Sequence, residues 1–147
     1  MDTAPDRLAG KASWLITQLG VHARRLVTDA FHATGARGYH YRVLATLREF
    51  GGVSQVELGR RCRMDRSDVV AAVAELAAEG LVERGTDRAD RSTSTVTITR
   101  AGTRQLQRLD RALDAVQDEL LAPLSPDERT VLRDLLARVL AHHARSE

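Results

Sequence analysis

Apolar and polar residues alternate along the chain with a period that changes several times, and each change marks an element. From Leu8 the apolar residues Ala12, Leu15, Ile16, Leu19, Ala23, Leu26, Val27 and Ala30 recur three and four positions apart to about Phe31. That is the spacing of one face of a long helix. Trp14, Gln18, Val21 and Arg25 fall off this stripe, so the helix has a second usable face, for which a partner subunit is the natural occupant. Met1 to Asp6 form a loose end, and Gly35 and Gly38 bracket the helix terminus. Tyr39 to Phe50 predict a second helix with Val43, Leu44 and Leu47 as its core face, ended by Gly51 and Gly52.

From Val53 to Thr99 the pattern tightens. Ser54 followed by Glu57 is a reciprocal capping box, and Val56, Leu58 and Cys62 supply the apolar positions of a short helix ending near Arg61. Asp65 is placed to cap the next helix, whose Val69, Val73 and Leu76 recur at i, i+4 and i+7, with Ala72 and Ala77 widening the stripe. Its other face carries Arg66, Ser67, Val70, Ala71 and Ala74, where the only apolar side chains are small ones that let another surface approach. Gly80 follows the last turn, and strands are expected at Leu81-Val82-Glu83 and Thr95-Val96-Thr97-Ile98-Thr99. The polar segment from Arg84 to Ser94 is too long for a tight hairpin.

Two short helices followed by a long-looped hairpin predict a winged helix-turn-helix. A helix fits the major groove with its N-terminal residues at the base edges, while a basic loop reaches phosphates or the adjacent minor groove. The DNA-binding candidates are Ser54, Gln55, Arg66, Ser67, Asp68, Val70, Ala71, Arg84, Arg88 and Arg91. Arg66 suits guanine or phosphate, Asp68 suits cytosine N4 but is repelled by phosphate, and Val70 or Ala71 suits a thymine methyl.

Thr99 is placed to cap a helix running from Arg100 or Ala101 through Leu106, Leu109, Leu113, Val116, Leu120 and Leu121, with Pro123 stopping it. Ser125-Pro126-Asp127-Glu128 then starts a last helix carrying Val131, Leu132, Leu135, Leu136, Val139 and Leu140. Each such side chain gains roughly 1.5–3 kcal/mol on complete burial. Within one subunit this helix has only the first helix's apolar face to meet, so the surplus predicts a two-fold homodimer. Two winged helices about one helical turn apart then match a pseudo-palindrome. The fold class expected is mainly α with a small β-wing.

Four blocks carry a family resemblance. Ser54-Gln55-Val56-Glu57-Leu58-Gly59-Arg60-Arg61, Asp65-Arg66-Ser67-Asp68-Val69-Val70, Glu79-Gly80-Leu81-Val82-Glu83-Arg84, and Asp87-Arg88-Ala89-Asp90-Arg91 through Val96-Thr97-Ile98-Thr99-Arg100-Ala101-Gly102 resemble, in order and spacing, the multiple antibiotic resistance regulator (MarR) family. The resemblance covers essentially the whole chain. It implies a single domain over 1–147, with dimerisation helices at about 1–35 and 101–147 around a DNA-binding lobe at about 39–100. It further implies a dimeric, ligand-responsive transcription factor, most often a repressor, whose wing arginine falls on Arg91 and contacts the minor groove. Two positions depart from the family pattern: Ser92 stands for the second wing arginine, and Val70 and Ala71 stand where threonine and arginine are frequent. Sequence preference is therefore expected to rest partly on DNA shape. Family effector pockets lie between the dimerisation helices and the DNA-binding lobe, which makes Trp14, His22, Tyr39, His40, Tyr41 and Arg42 the ligand-binding candidates for a small aromatic or phenolic effector. The competing reading of these rings is core and interface filler.

Composition changes this picture only at the edges. The 147 residues suffice for one ordinary domain, 43% are hydrophobic and only 3% aromatic, so the core is built from alanine, leucine and valine. Net charge is just +2 despite a pI near 9.2, so DNA binding is argued from where the arginines sit and not from total charge. Lys11 is the only lysine and asparagine is absent, a codon bias that removes meaning from the arginine preference itself. A lone cysteine excludes an internal disulfide, and no apolar run approaches the ~20 residues that span a membrane. With no signal-peptide core at the N-terminus, a cytoplasmic location is expected.

Nucleotide loops, paired zinc cysteines and a His-Glu helix motif are missing, so no enzyme, no cofactor and no metal site is expected. The five histidines match no standard ligand spacing, and His142-His143 favour the dipole at a helix end. Cys62 reads as a buried structural thiol. A metal- or redox-sensing regulator of the same fold and a winged-helix protein-interaction module are the alternatives; the module, lacking phosphate contacts, has no steep salt dependence to lose.

Overall fold

The computed structural model describes residues 4–86 and 94–146. In chain order the elements are α1 (Asp6–Ala9), α2 (Ala12–Ala33), α3 (Gly38–Phe50), β1 (Val53–Ser54), α4 (Gln55–Cys62), α5 (Arg66–Ala78), β2 (Val82–Thr86), β3 (Ser94–Ile98), α6 (Arg100–Leu120) and α7 (Pro126–Ala144). The mainly helical architecture with a small β-wing agrees with the sequence reading.

Three caps sit where expected. The Ser54 hydroxyl accepts from the Glu57 N–H, the Thr99 hydroxyl accepts from the Gly102 N–H, and Ser125 and Glu128 form a reciprocal capping box behind Pro126. Asp65 also occupies the N-cap position of α5 in extended backbone, but its side chain makes no capping hydrogen bond. The single long first helix is corrected to two. Gly10 N–H closes back on the Asp6 carbonyl and Lys11 takes an extended backbone as the N-cap of α2; glycine is a poor residue to carry a helix through that point. Gly35 (φ +77°) and Gly51 (φ +77°) end α2 and α3 in the left-handed region, whereas Gly38 opens α3 instead of closing α2.

The core is shared by Val43, Leu44 and Leu47 of α3, Leu58 of α4, Val69, Val73 and Leu76 of α5, Val96 of β3 and Leu109 of α6. Val56 is not part of it. It stands two residues before Leu58, turned about 200° around the helix, and is 78% exposed. The described strands form one antiparallel sheet in the order β1-β3-β2, with Val53 paired to Val96 on one side of β3 and Arg84 to Val96 on the other. β1 escaped the sequence reading because two residues carry no period. β2 continues through Arg84, Gly85 and Thr86, which pair with Val96, Thr95 and Ser94, so these are strand residues and not loop. Behind the sheet, α6 starts so close to the chain entering β2 that a Cβ at Gly102 would overlap the Leu81 carbonyl oxygen and stand 2.7 Å from Ile98 Cγ1.

The ends of the chain behave differently. Only the C-terminal part of the α2 stripe, ending in buried Phe31, reaches the core; Leu15, Ile16 and Leu19 are exposed. This corrects the assignment of the whole stripe to its own subunit. No residue of α7 is buried. It is tied to α6 by the Arg129 guanidinium, which donates to Asp118 Oδ1 at 2.8 Å and to the Leu124 carbonyl at 3.1 Å. Between α2, α7 and the end of α6 lies an apolar groove of about 420 Å³, bordered by Leu15, Ile16, Leu19, Leu120, Leu121, Leu132 and Leu136. Among the described residues no helix is long and apolar enough to cross a membrane.

Candidate nucleic-acid interface

The placement of α5 follows from its own sequence. Val69, Ala72, Val73 and Leu76 are buried, which at 100° per residue turns Ser67, Val70, Ala71, Ala74 and Ala78 outward; all five are exposed. Of the recognition-helix candidates, Ser67, Val70 and Ala71 therefore share the open side, with exposed Arg66 at its edge. Arg66 stands at the seam with α4, on a shallow cleft of about 180 Å³ that it shares with Gln55, Val56, Arg60 and Met64. Asp68 is only half-exposed and turns toward α3, where Asp68, Ala71 and Glu75 border a cleft of about 130 Å³ with Arg37, Tyr39 and His40.

At the start of α4, the hydroxyl of Ser54 is committed to capping and Gln55 is half-buried beside it. The Glu57 carboxylate accepts from Arg60 Nε at 3.0 Å and Arg61 Nε at 2.6 Å. The Arg60 hydrogen bond chiefly, with its charge and the contacts of Arg61, holds the Glu57 carboxyl down to about 2. Arg61 also lays its guanidinium 3.9 Å from the Phe50 ring centroid. Arg84 is exposed on β2. Arg88 and Arg91, the other two wing candidates, lie outside the described residues.

The ligand-binding candidates do not converge. Tyr39 to Arg42 are consecutive on α3 and so point around the helix in steps of about 100°. His40 is buried: its Nδ1 accepts from the Arg37 N–H at 3.4 Å, and its Nε2 lies 2.6 Å from Glu75 Oε2. An acceptor role for Nδ1 puts the proton on Nε2, which then donates to Glu75. That bond, with the charge of Arg37 at 3.8 Å added, lowers the Glu75 carboxyl below its usual range. His40 is thus a tie between α3 and α5. Tyr39 is exposed under the Arg42 guanidinium, 5.8 Å from the ring centroid.

Tyr41 and Arg42 open on a different hollow of about 390 Å³, shared with Ala45, Thr46, Arg61, Cys62 and Arg63. The Tyr41 hydroxyl donates to Asp110 Oδ1 at 2.8 Å, and its ring stacks on Phe31 at 5.6 Å. Burial first, then the Asp110 hydrogen bond and charge, push the Tyr41 phenol up to about 12. Trp14, half-buried, and His22, exposed, sit on α2 away from both hollows. Arg61 and Arg63 were missed as neighbours of Tyr41; the run Arg60-Arg61-Cys62-Arg63 was their visible signal, and Arg63 caps α4 in the left-handed conformation at φ +52°. Cys62 is the buried thiol expected, with its sulfur 3.2 Å from Thr46 Oγ1 and donating to the Arg42 carbonyl at 3.4 Å.

Comparison with known proteins places this arrangement. The MarR family model matches residues 33–91, from the end of α2 into the hairpin. A protein of Thauera aromatica assigned to the hcr operon as its transcriptional regulatory protein is 31% identical over 130 residues, covering 83% of this chain and 78% of that one. Among solved structures, a "probable transcriptional regulator" of Pseudomonas aeruginosa superposes with a TM-score of 0.78 at 30% identity over 90% of this chain and 98% of that one. The PcaV transcriptional regulator of Streptomyces coelicolor, in complex with its natural ligand, gives 0.74 at 29% identity over 96% and 98%. CouR of Rhodococcus jostii RHA1, bound to p-coumaroyl-CoA, gives 0.75 at 26% identity over 92% and 95%. With its helix-turn-helix, its wing strands and this likeness over nearly the full chain, the protein belongs to the MarR family of DNA-binding transcriptional regulators.

Proposed function

We propose that the protein is a homodimeric, effector-responsive repressor that binds a pseudo-palindromic operator and releases it when a small aromatic or phenolic acid occupies the hollow beside Tyr41. The observation that carries the DNA-binding part is the outer face of α5, where Ser67, Val70, Ala71 and Ala74 stand clear of the core with Arg66 at their N-terminal corner. Ser54 and Gln55 at the start of α4 contact the backbone, and Arg84, Arg88 and Arg91 carry the wing into the neighbouring groove. The chain works as one domain: α2, α6 and α7 make the dimer through the apolar groove, and the segment from α3 to β3 is the DNA-binding lobe. It acts in the cytoplasm and catalyses no reaction.

The effector side rests on Arg42, Arg61 and Arg63 around one hollow with the Tyr41 ring and Thr46, a set suited to a carboxylate on an aromatic body. The ligand-bound relatives PcaV and CouR support a small-molecule effector. A ligand shifts the equilibrium only through unequal affinity for the two lobe arrangements. α3 is placed to transmit that difference, because Tyr41 ties it to α6 and His40 ties it to α5.

The test is a fluorescence-anisotropy titration of DNA flanking the protein's own gene at several salt concentrations, with scrambled DNA as control. Tight, dimer-stoichiometric, salt-steep binding to the native segment alone is expected. Absence of binding even at low salt would replace this reading with an interaction module. Aromatic acids are then added, and release that Arg42→Ala abolishes identifies the hollow.

A further inference from the structure

We infer that α5 recognises its operator through the 5-methyl groups of neighbouring thymines, which Val70, Ala71 and Ala74 contact. The inference deepens the DNA-binding reading above and rests on it. The outward ridge of α5 offers the bases one hydroxyl, that of Ser67, and otherwise only methyl groups. The charged side chains lie on its flanks. Arg66 is on the α4 side, in the cleft with Val56; Asp68 and Glu75 are on the α3 side, and Glu75 is engaged by His40.

Bidentate recognition of guanine or adenine needs a long arginine, lysine, asparagine or glutamine over the base edge. No such side chain stands at the centre of this ridge. What a surface of small apolar side chains can distinguish is the thymine methyl, the one apolar group on the major-groove edge of a base pair. Alanines also let the helix backbone come close enough for a Cβ to reach that methyl. Val70 is 46% exposed although it is β-branched and apolar, and Val56 on the adjoining flank is 78% exposed; the core uses neither. From Val70 to Ala74 the helix rises about 6 Å, close to two base-pair steps at about 3.4 Å each. The contacts of Val70 and Ala74 therefore fall on A·T pairs two steps apart, with one base pair between them, once in each half-site.

The experiment uses the full-length protein and the operator segment found by anisotropy, with thymine replaced by uracil one position at a time. The replacement removes only the 5-methyl group, which faces the major groove, so contacts of the wing in the minor groove do not respond. At two positions of each half-site, separated by one base pair, uracil is expected to weaken binding about three- to fivefold, the scale of one buried methyl group. Val70→Ser, an exposed position whose folding is checked by circular dichroism, should bind thymine and uracil operators equally at one of those positions. Wild-type protein that binds the operator specifically yet ignores uracil at every position overturns the inference and leaves the regulator reading intact. Discrimination that survives undiminished in both Val70→Ser and Ala74→Ser also overturns it. Failure to bind any flanking DNA in a salt-steep way removes both readings together.

Discussion

Tyr41 on α3 donates its hydroxyl proton to Asp110 on α6 at 2.8 Å, and this bond spans 69 positions of the chain to join the helix that packs on the helix-turn-helix to the long helix after the wing strands. Tyr41→Phe is expected to cost about 0.5–1.5 kcal/mol of stability and to weaken the link between effector binding and DNA release more than it weakens DNA binding. The phenol is raised by burial and by Asp110 to about 12. A raised folded value means the contribution is fully present below pH 10 and is lost as pH rises through about 12. Absorbance titration at alkaline pH should show one phenol ionising near 12, returning toward 10 in Asp110→Asn.

Gly102 has no room for a side chain. A Cβ there meets the Leu81 carbonyl and Ile98 Cγ1, so Gly102→Ala forces apart the start of α6 and the entry to β2. We expect a loss of about 1–3 kcal/mol or more, read by urea denaturation. Wild-type stability in this variant would show that the junction yields.

Glu57 gathers Arg60 and Arg61 on the exposed side of α4. Its folded carboxyl is depressed to about 2 from the ordinary 4.5. The stabilisation is therefore present above about 4.5 and lost as pH falls toward 2. Glu57→Gln should flatten the acid limb of stability against pH, measured by circular dichroism between pH 2 and 6, and should free Arg60 to strengthen nonspecific binding to DNA phosphates.

Leu19 on α2 and Leu136 on α7 both border the apolar groove. If the dimer forms through this groove as proposed, Leu136→Asp should give a monomer at micromolar concentration by sedimentation velocity, with operator affinity reduced at least tenfold because both half-sites can no longer be held together. Retention of the dimer would move the interface elsewhere.

Arg91→Ala is expected to reduce operator affinity by about 1–3 kcal/mol and to lower the dependence on salt. Unchanged binding would remove the wing from recognition.

Most of the helices were legible because their signals are local. Ser54 with Glu57, Thr99, and Ser125 with Glu128 announce helix starts through bonds made within three residues, and the i, i+4, i+7 spacing of Val69, Val73 and Leu76 names a buried face without knowing what buries it. β1 was not legible, since a two-residue strand exists only because β3 lies beside it. Val56 was misjudged for a related reason: being apolar says that a side chain favours burial, while its angle relative to Leu58 puts it on the side that nothing in the subunit covers.

The candidate site divides the same way. The sequence by itself determined that α5 presents small side chains and that arginines surround it, because helical phase and residue type suffice for both. Only the tertiary structure decided that His40 faces Glu75 while Tyr41 faces Asp110, that Tyr41 and Arg42 share a hollow with Arg61, Cys62 and Arg63, and that Trp14 and His22 lie away from it. Those relationships depend on how α3 is rotated and crossed by α4, α5 and α6, and that rotation is set by the packing of Val43, Leu44 and Leu47 against residues far along the chain, an interaction that no local pattern encodes.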